Sequence, residues 1–237
     1  MIGALVNTGA IVAGGLGGFL FGSLLKDRHQ ETLTMACGVS TLFIGVAGAL
    51  KYMLHDSRLP SGGTMLVVAC LALGGLIGEM LNIERWFERF GEWLKIRTGN
   101  AKDQGFVNGF LTASLTVCIG AMAIVGAIQD GISGDWSTLG AKSILDLIIV
   151  MVMTCSLGKG CVFSAIPVLV WEGGLTLLAS AVKPVMTDLA MAYLSLVGSV
   201  LIFCVGLNLV WGKKIRVANL LPAVVLAAAA AFLPISF

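Results

Sequence analysis

Charge is what this chain has least of. Only 12% of its 237 residues are Asp, Glu, Lys or Arg, about half the share found in an ordinary soluble domain. That proportion cannot cover a surface that faces water. The formal net charge is +2, which leaves no dense basic surface for phosphates and argues against a nucleic-acid partner. Histidine is rarer still: His29 and His55 are the two present, and both are expected in short loops. Cys37, Cys70, Cys118, Cys155, Cys161 and Cys204 form no CxxC and no His/Cys cluster, so no metal site is expected. They read as small apolar packing residues. No HExxH, nucleophile elbow or cofactor motif is present, so neither an enzyme nor a cofactor is expected.

Apolar runs fill the chain instead, and mean hydropathy is +0.97. A membrane span needs about 20 mostly apolar residues. Eight stretches qualify: Gly3–Leu25, Thr32–Leu54, Gly63–Leu81, Phe106–Ile128, Thr138–Leu157, Cys161–Val182, Leu189–Trp211 and Val217–Phe237. The first has no basic segment ahead of it and is too long for a signal-peptide core, so it reads as an uncleaved span. The expected fold is an all-α polytopic transmembrane helical bundle of about eight spans, forming one membrane domain. Its parts are three spans over residues 1–81, a helix over 82–98, central spans over 106–182 and two spans over 189–237.

The segment Ile83–Arg97 departs from this pattern. Ile83, Trp86, Phe87, Phe90, Trp93 and Leu94 share one helical face, and Glu84, Arg85, Glu88, Arg89, Glu92 and Lys95 share the other. This spacing predicts an amphipathic helix lying against membrane lipids, in preference to one docked on a soluble partner. Across eight spans, eleven Lys and Arg fall on one side and four (Lys51, Arg58, Lys142, Lys183) on the other. The larger set marks the cytoplasm. The expected location is therefore a bacterial inner membrane, with both termini outside.

Gly17-Gly18 followed by Ile44-Gly45 resembles Gly173-Gly174 followed by Val205-Gly206. Matching spans 1–3 to spans 6–8 shifts by five helices, an odd number, so the copies would be inverted three-helix repeats. Gly14, Gly18 and Gly22 line one face of the first span, and Gly74 and Gly78 repeat the spacing in the third. Such faces let backbones approach closely, within one chain or in a homodimer.

Ionisable residues inside spans are costly, at about 2.5–3.5 kcal/mol each on insertion scales, and mark function. Glu172 sits halfway along its span. Lys142 and Asp146 are four apart and can pair on one face. Asp130 and Asp135 occupy a Gly-rich segment, Gly120–Asp135, expected to loosen the end of the fourth span and to form its outer mouth. Ser137 is the expected cap of the next helix. Ser164 and Pro167 follow a tight Leu157-Gly158-Lys159-Gly160 turn, with Pro167 expected to break the span ahead of Glu172. Glu79 is expected to reach out to the interface. Asn7, Asn108 and Asn208 are expected to hydrogen-bond across helices.

These segments carry a family resemblance. The Gly-rich span after Asn7, the stretch Gly74 to Glu79, and the block from Gly126 to Gly174 resemble the bacterial integral membrane family known as domain of unknown function 554. The block includes Asp130-Gly131, Gly134-Asp135, Lys142-Ser143, Leu145-Asp146, Ser156-Leu157-Gly158 and Ser164. The resemblance implies a polytopic membrane protein, and Gln at the place of Glu172. The residues themselves point to a transporter or channel for a small ion or polar solute, working between the central spans through Lys142, Asp146, Glu172, Asp130, Asp135 and Ser164. The alternative is a membrane scaffold, assembly partner or sensor, using the glycine faces and the amphipathic helix.

Overall fold

A computed structural model describes residues 1–22, 24–55, 63–118, 121–184 and 186–232. They are almost entirely helical. The helices are α1 (Ile2–Gly22), α2 (Asp27–His55), α3 (Thr64–Leu81), α4 (Ile83–Arg97), α5 (Phe106–Cys118), α6 (Ala121–Ser133), α7 (Ser137–Leu157), α8 (Ala165–Leu177), α9 (Ala179–Val182), α10 (Asp188–Trp211) and α11 (Pro222–Ala230). Short 3₁₀ turns, Lys159–Ser164 and Val217–Leu220, lead into α8 and α11. In lipid, helices satisfy every backbone polar group internally, which is why so apolar a chain folds this way.

Six helical stretches among the described residues are long and apolar enough to cross a membrane: α1, α2, α3, α7, α10, and α8 together with the 3₁₀ turn before it. Helices α5 and α6 are 13 residues each, about 20 Å long and too short alone. Together they pass as one apolar stretch bent by 62°, which, counted as one span, brings the total to as many as seven. The expected eighth span is represented by Val217–Ala230, a shorter apolar helix. Residues 233–237 of that stretch, like Arg58, lie outside the described residues.

The helices gather into two compact units. The first holds Met1–Cys37, Phe87–Cys118 and Met122–Val182, and its axis is the α1–α7 pair. Any Cβ on Gly14 would lie 2.3 Å from the carbonyl oxygen of Leu147, and one on Gly18 would lie 2.2 Å from that of Met151. Gly22 meets Cys155 in the same way. The contacts advance together along both helices, so α1 and α7 run parallel. The first glycine face is thus filled by α7 of the same chain. The Cys155 thiol closes the contact by donating to the carbonyl of Gly18 at 3.2 Å.

The same unit fixes the course of α5 and α6. A Cβ on Gly160 would lie 1.9 Å from the carbonyl oxygen of Phe106, so α5 begins at the C-terminal end of α7. Helix α6 ends at the other side. Gly126 abuts Leu139, Thr138 Oγ1 donates to Gln129 at 2.7 Å, and Gly131 abuts Thr176. The bent pair therefore runs antiparallel to α1 and α7. The break precedes α6. The Gly-rich end of the segment, expected to be loose, is helical through Ser133.

Helix α4 divides its apolar stripe. Leu94 is buried with Phe106, Phe110 and Leu111, Phe87 packs beside them, and the Phe90 ring lies 5.8 Å from that of Phe110. Trp86, Trp93 and Ile96 stay exposed.

The second unit is chiefly Gly38–Trp86 and Lys183–Phe237. Helices α2 and α10 pack antiparallel, Gly38 against Leu209 and Val210, Gly45 against Phe203, and Gly48 against Ser199. Helices α3 and α11 do likewise. Gly74 abuts Ala223, and a Cβ on Gly78 would lie 1.8 Å from the carbonyl oxygen of Asn219. Glu79 pairs with Arg216 and accepts from Asn219 Nδ2 at 2.7 Å, so it is held rather than simply reaching outward. Several local expectations also change. Both histidines lie in the end turns of α2, not in loops. Asn208 ties down the turn after its own helix, at Lys214 and Ile215, and Asn108 is exposed.

Candidate functional site

Three of the six sequence-selected residues meet inside the first unit. Lys142 and Asp146 stand one turn apart on α7 and pair directly, as their spacing requires. Glu172 comes in from α8, with its Oε1 at 3.4 Å from Lys142 Nζ. All three are buried, Glu172 to 1% exposure. Helix α1 adds a residue the selection missed. Asn7 Nδ2 donates to Asp146 Oδ2 at 3.0 Å and to both oxygens of Glu172 at 3.0 Å.

The fourth contributor is backbone. Lys142 Nζ donates to the carbonyl oxygen of Val117 at 2.9 Å. Val117 lies in the last turn of α5, where carbonyls have no partner within the helix and carry the negative end of its dipole. An ammonium there satisfies the end of α5 and offsets part of its own desolvation. The result is a compact cluster at the helix break, built from α1, α5, α7 and α8. Its groups can exchange protons, hold a cation or bind a small polar solute.

The other three residues are elsewhere. Asp130 lies on α6, buried, and accepts from the backbone N–H of Gly3 at 2.9 Å and from the amino group of Met1 at 2.7 Å. A carboxylate at the first turn of α1 is well placed to satisfy its free N–H groups. Asp135 is exposed before α7 and accepts from the N–H of Ser137 at 3.0 Å. That bond holds its carboxyl below the usual range. Ser137 is thus the first residue of α7, and the capping oxygen comes from Asp135. Ser164 donates to the carbonyl oxygen of Cys161 at 2.7 Å, closing the 3₁₀ turn. Pro167 falls in the first turn of α8, where a missing N–H costs nothing, so it starts that helix instead of breaking it.

The fold and its buried polar cluster define a polytopic helical membrane protein. The chain belongs to the family described as "Protein of unknown function (DUF554)", which it matches over residues 2–232. It is similar to "Uncharacterized membrane protein YdfK" of Bacillus subtilis (strain 168), 29% identical over 226 residues, covering 95% of this chain and 93% of that one. It is also similar to "Uncharacterized protein YqgA" of Escherichia coli (strain K12), 31% identical over 231 residues, 96% of this chain and 94% of that one. No solved structure matches.

Proposed function

We propose that this protein moves a small ion or polar solute across a bacterial inner membrane through the cluster of Lys142, Asp146, Glu172 and Asn7. One observation carries this reading: four buried polar side chains converge where the apolar α5–α6 stretch is interrupted. A purely structural bundle would gain as much from apolar residues of similar size, since buried ion pairs rarely add stability. Broken helices at a buried charged site are how membrane proteins expose backbone to a solute.

Two further features support a transporter plan. The helices matched by the inverted-repeat reading pack in antiparallel pairs, α1 with α8 in one unit, and α2 with α10 and α3 with α11 in the other. Opposite orientation of matched helices is what an inverted repeat requires. The charge count supports both termini outside. With Lys142 withdrawn into the bundle, only three basic residues remain on the outer side against eleven inside. On that orientation α4 lies on the cytoplasmic leaflet, with Trp86, Trp93 and Ile96 in the headgroups.

The test is flux in proteoliposomes reconstituted with the full chain, under imposed gradients of protons, sodium, potassium and small organic anions. Asp146→Asn and Glu172→Gln should reduce the flux of the transported species to that of protein-free vesicles. Undiminished flux at equal incorporation, or no flux of any species, would sink the reading.

A further inference from the structure

The central cluster is short of one positive charge. Lys142 faces two carboxylates, Asp146 and Glu172. Its ammonium has three hydrogens, and Asp146, the Val117 carbonyl and Glu172 engage them. Asp146 has the direct ion pair and a bond from Asn7. Glu172 has only the longer contact to Lys142 and the bonds from Asn7. The uncompensated charge therefore rests on Glu172, the most deeply buried of the three.

A second, independent observation points the same way. Asn7 is fully buried, and its Oδ1 has no hydrogen-bond partner among the described residues. The amide turns its nitrogen to the carboxylates, the orientation that two anions demand. Its oxygen is left as an acceptor without a donor, an arrangement that is rare and costly in a buried site. An unfilled oxygen on the same amide that holds an uncompensated carboxylate suits a small hard cation.

We propose that Glu172 and the Asn7 amide oxygen bind one monovalent cation, a proton or an alkali-metal ion, in competition with the Lys142 ammonium for the same carboxylates. A divalent ion would overshoot the charge. No three His, Cys, Asp or Glu side chains among the described residues gather into a set that would favour one. The charged and titratable groups around Glu172 are Lys142 and Asp146 from α7 and the Cys118 thiol at the end of α5, with Asn7 from α1. The proposal rests on this cluster being the working site, and it names what that site holds.

Binding is read on the purified full chain in detergent, from the midpoint of thermal unfolding followed by tryptophan fluorescence. In one arm choline chloride is replaced by sodium, potassium or lithium chloride at constant ionic strength and alkaline pH. In the other, choline is kept and pH is lowered from about 8 to about 5, around the range where a buried carboxyl gains its proton. A saturable rise of the midpoint in the first arm identifies an alkali ion; a rise in the second identifies a proton. Glu172→Gln should abolish the response. Asn7→Ala, which keeps both carboxylates, should weaken the alkali response about ten-fold, the value of one good polar contact.

A wild type unresponsive in both arms overturns the proposal, as does a response that Glu172→Gln leaves intact. Should Glu172→Gln not fold, an Asn7→Ala protein with unaltered alkali response overturns the alkali form, and one with an unaltered pH response overturns the proton form. Binding without flux in vesicles removes the transport reading and leaves this one standing. Flux that depends on Asp146 and Glu172, with no response in either arm, does the reverse.

Discussion

The ammonium of Lys142 donates to the backbone carbonyl of Val117 at 2.9 Å, so one side chain pairs with two carboxylates and satisfies the end of a broken helix. Removing it should cost more than any other single change in the cluster. Lys142→Met leaves the two carboxylates with no cation at all, and the expected loss is about 3–5 kcal/mol, as for a buried pair deprived of one partner. The neutral triple variant Lys142→Met, Asp146→Asn, Glu172→Gln should recover much of that loss. Thermal unfolding in detergent checks both. A single variant as stable as the wild type would mean that the cluster is not ionised as drawn.

Glycine at 18 and glycine at 9 share one helix and differ completely in surroundings. A Cβ at Gly18 meets the backbone of Met151 at 2.2 Å, and one at Gly9 meets nothing within 4 Å. Backbone cannot yield as a side-chain tip can, so Gly18→Ala should force α1 from α7 at a cost of about 1–3 kcal/mol. Gly9→Ala should be neutral or slightly stabilising, because alanine is the better helix former. Paired unfolding curves of the two variants decide it.

The residues that proved legible in the sequence are those whose chemistry is expensive in lipid. Lys142 and Asp146 declare themselves by a four-residue spacing, and Glu172 by being a lone carboxylate in an apolar run. Asn7 gives no comparable signal, since a neutral amide in a Gly-rich span costs little and has many uses. The Val117 carbonyl gives none, because every residue has one. The helix break lies ahead of α6 and not at its Gly-rich end, for a related reason. Asp130-Gly131 looks like turn chemistry, but packing of Gly126 and Gly131 against Leu139 and Thr176 holds it helical, and the chain turns only at Gly134, where φ is 70°. The glycine faces at Gly14, Gly18, Gly74 and Gly78 approach backbone closely, and their partners, α7, α11 and the turn before α11, are tertiary facts that no spacing reveals.

Asn219 is the corresponding polar anchor of the second unit. Its Oδ1 accepts from the N–H of Glu84 at 2.7 Å and its Nδ2 donates to Glu79 at 2.7 Å. It therefore joins the end of α3 and the start of α4 to the 3₁₀ turn before α11. Asn219→Ala strips a buried helix-start N–H of its partner, at an expected cost of about 1–3 kcal/mol. Hydrogen exchange should quicken at the amide of Glu84 and its neighbours while the first unit keeps its protection.

Asp135 sets a small acid dependence. Its carboxyl is held below the ordinary value of 3.8 by the Ser137 N–H, so the folded state prefers the anion. That contribution is present above the unfolded value and is lost as pH falls through the folded one. Asp135→Asn, which cannot titrate, should flatten the stability profile of the wild type below about pH 4. The comparison is made by unfolding midpoints at successive pH values, and identical profiles would disprove the capping role.

Whether α5 and α6 together cross the membrane is open to direct test. The start of α5 lies against Gly160 and the end of α6 against Thr176, at opposite ends of α8 and the turn before it. Lys102, ahead of α5, and Ser133, at the end of α6, are both exposed. In a chain whose six native cysteines are replaced by alanine, Lys102→Cys and Ser133→Cys should react with a membrane-impermeant maleimide from opposite sides. Ser133→Cys should label in intact cells, and Lys102→Cys only after permeabilisation. Labelling of both from one side would make the bent pair a re-entrant loop. It would also remove the parity by which α1 and α7, parallel along Gly14, Gly18 and Gly22, enter the membrane from the same face.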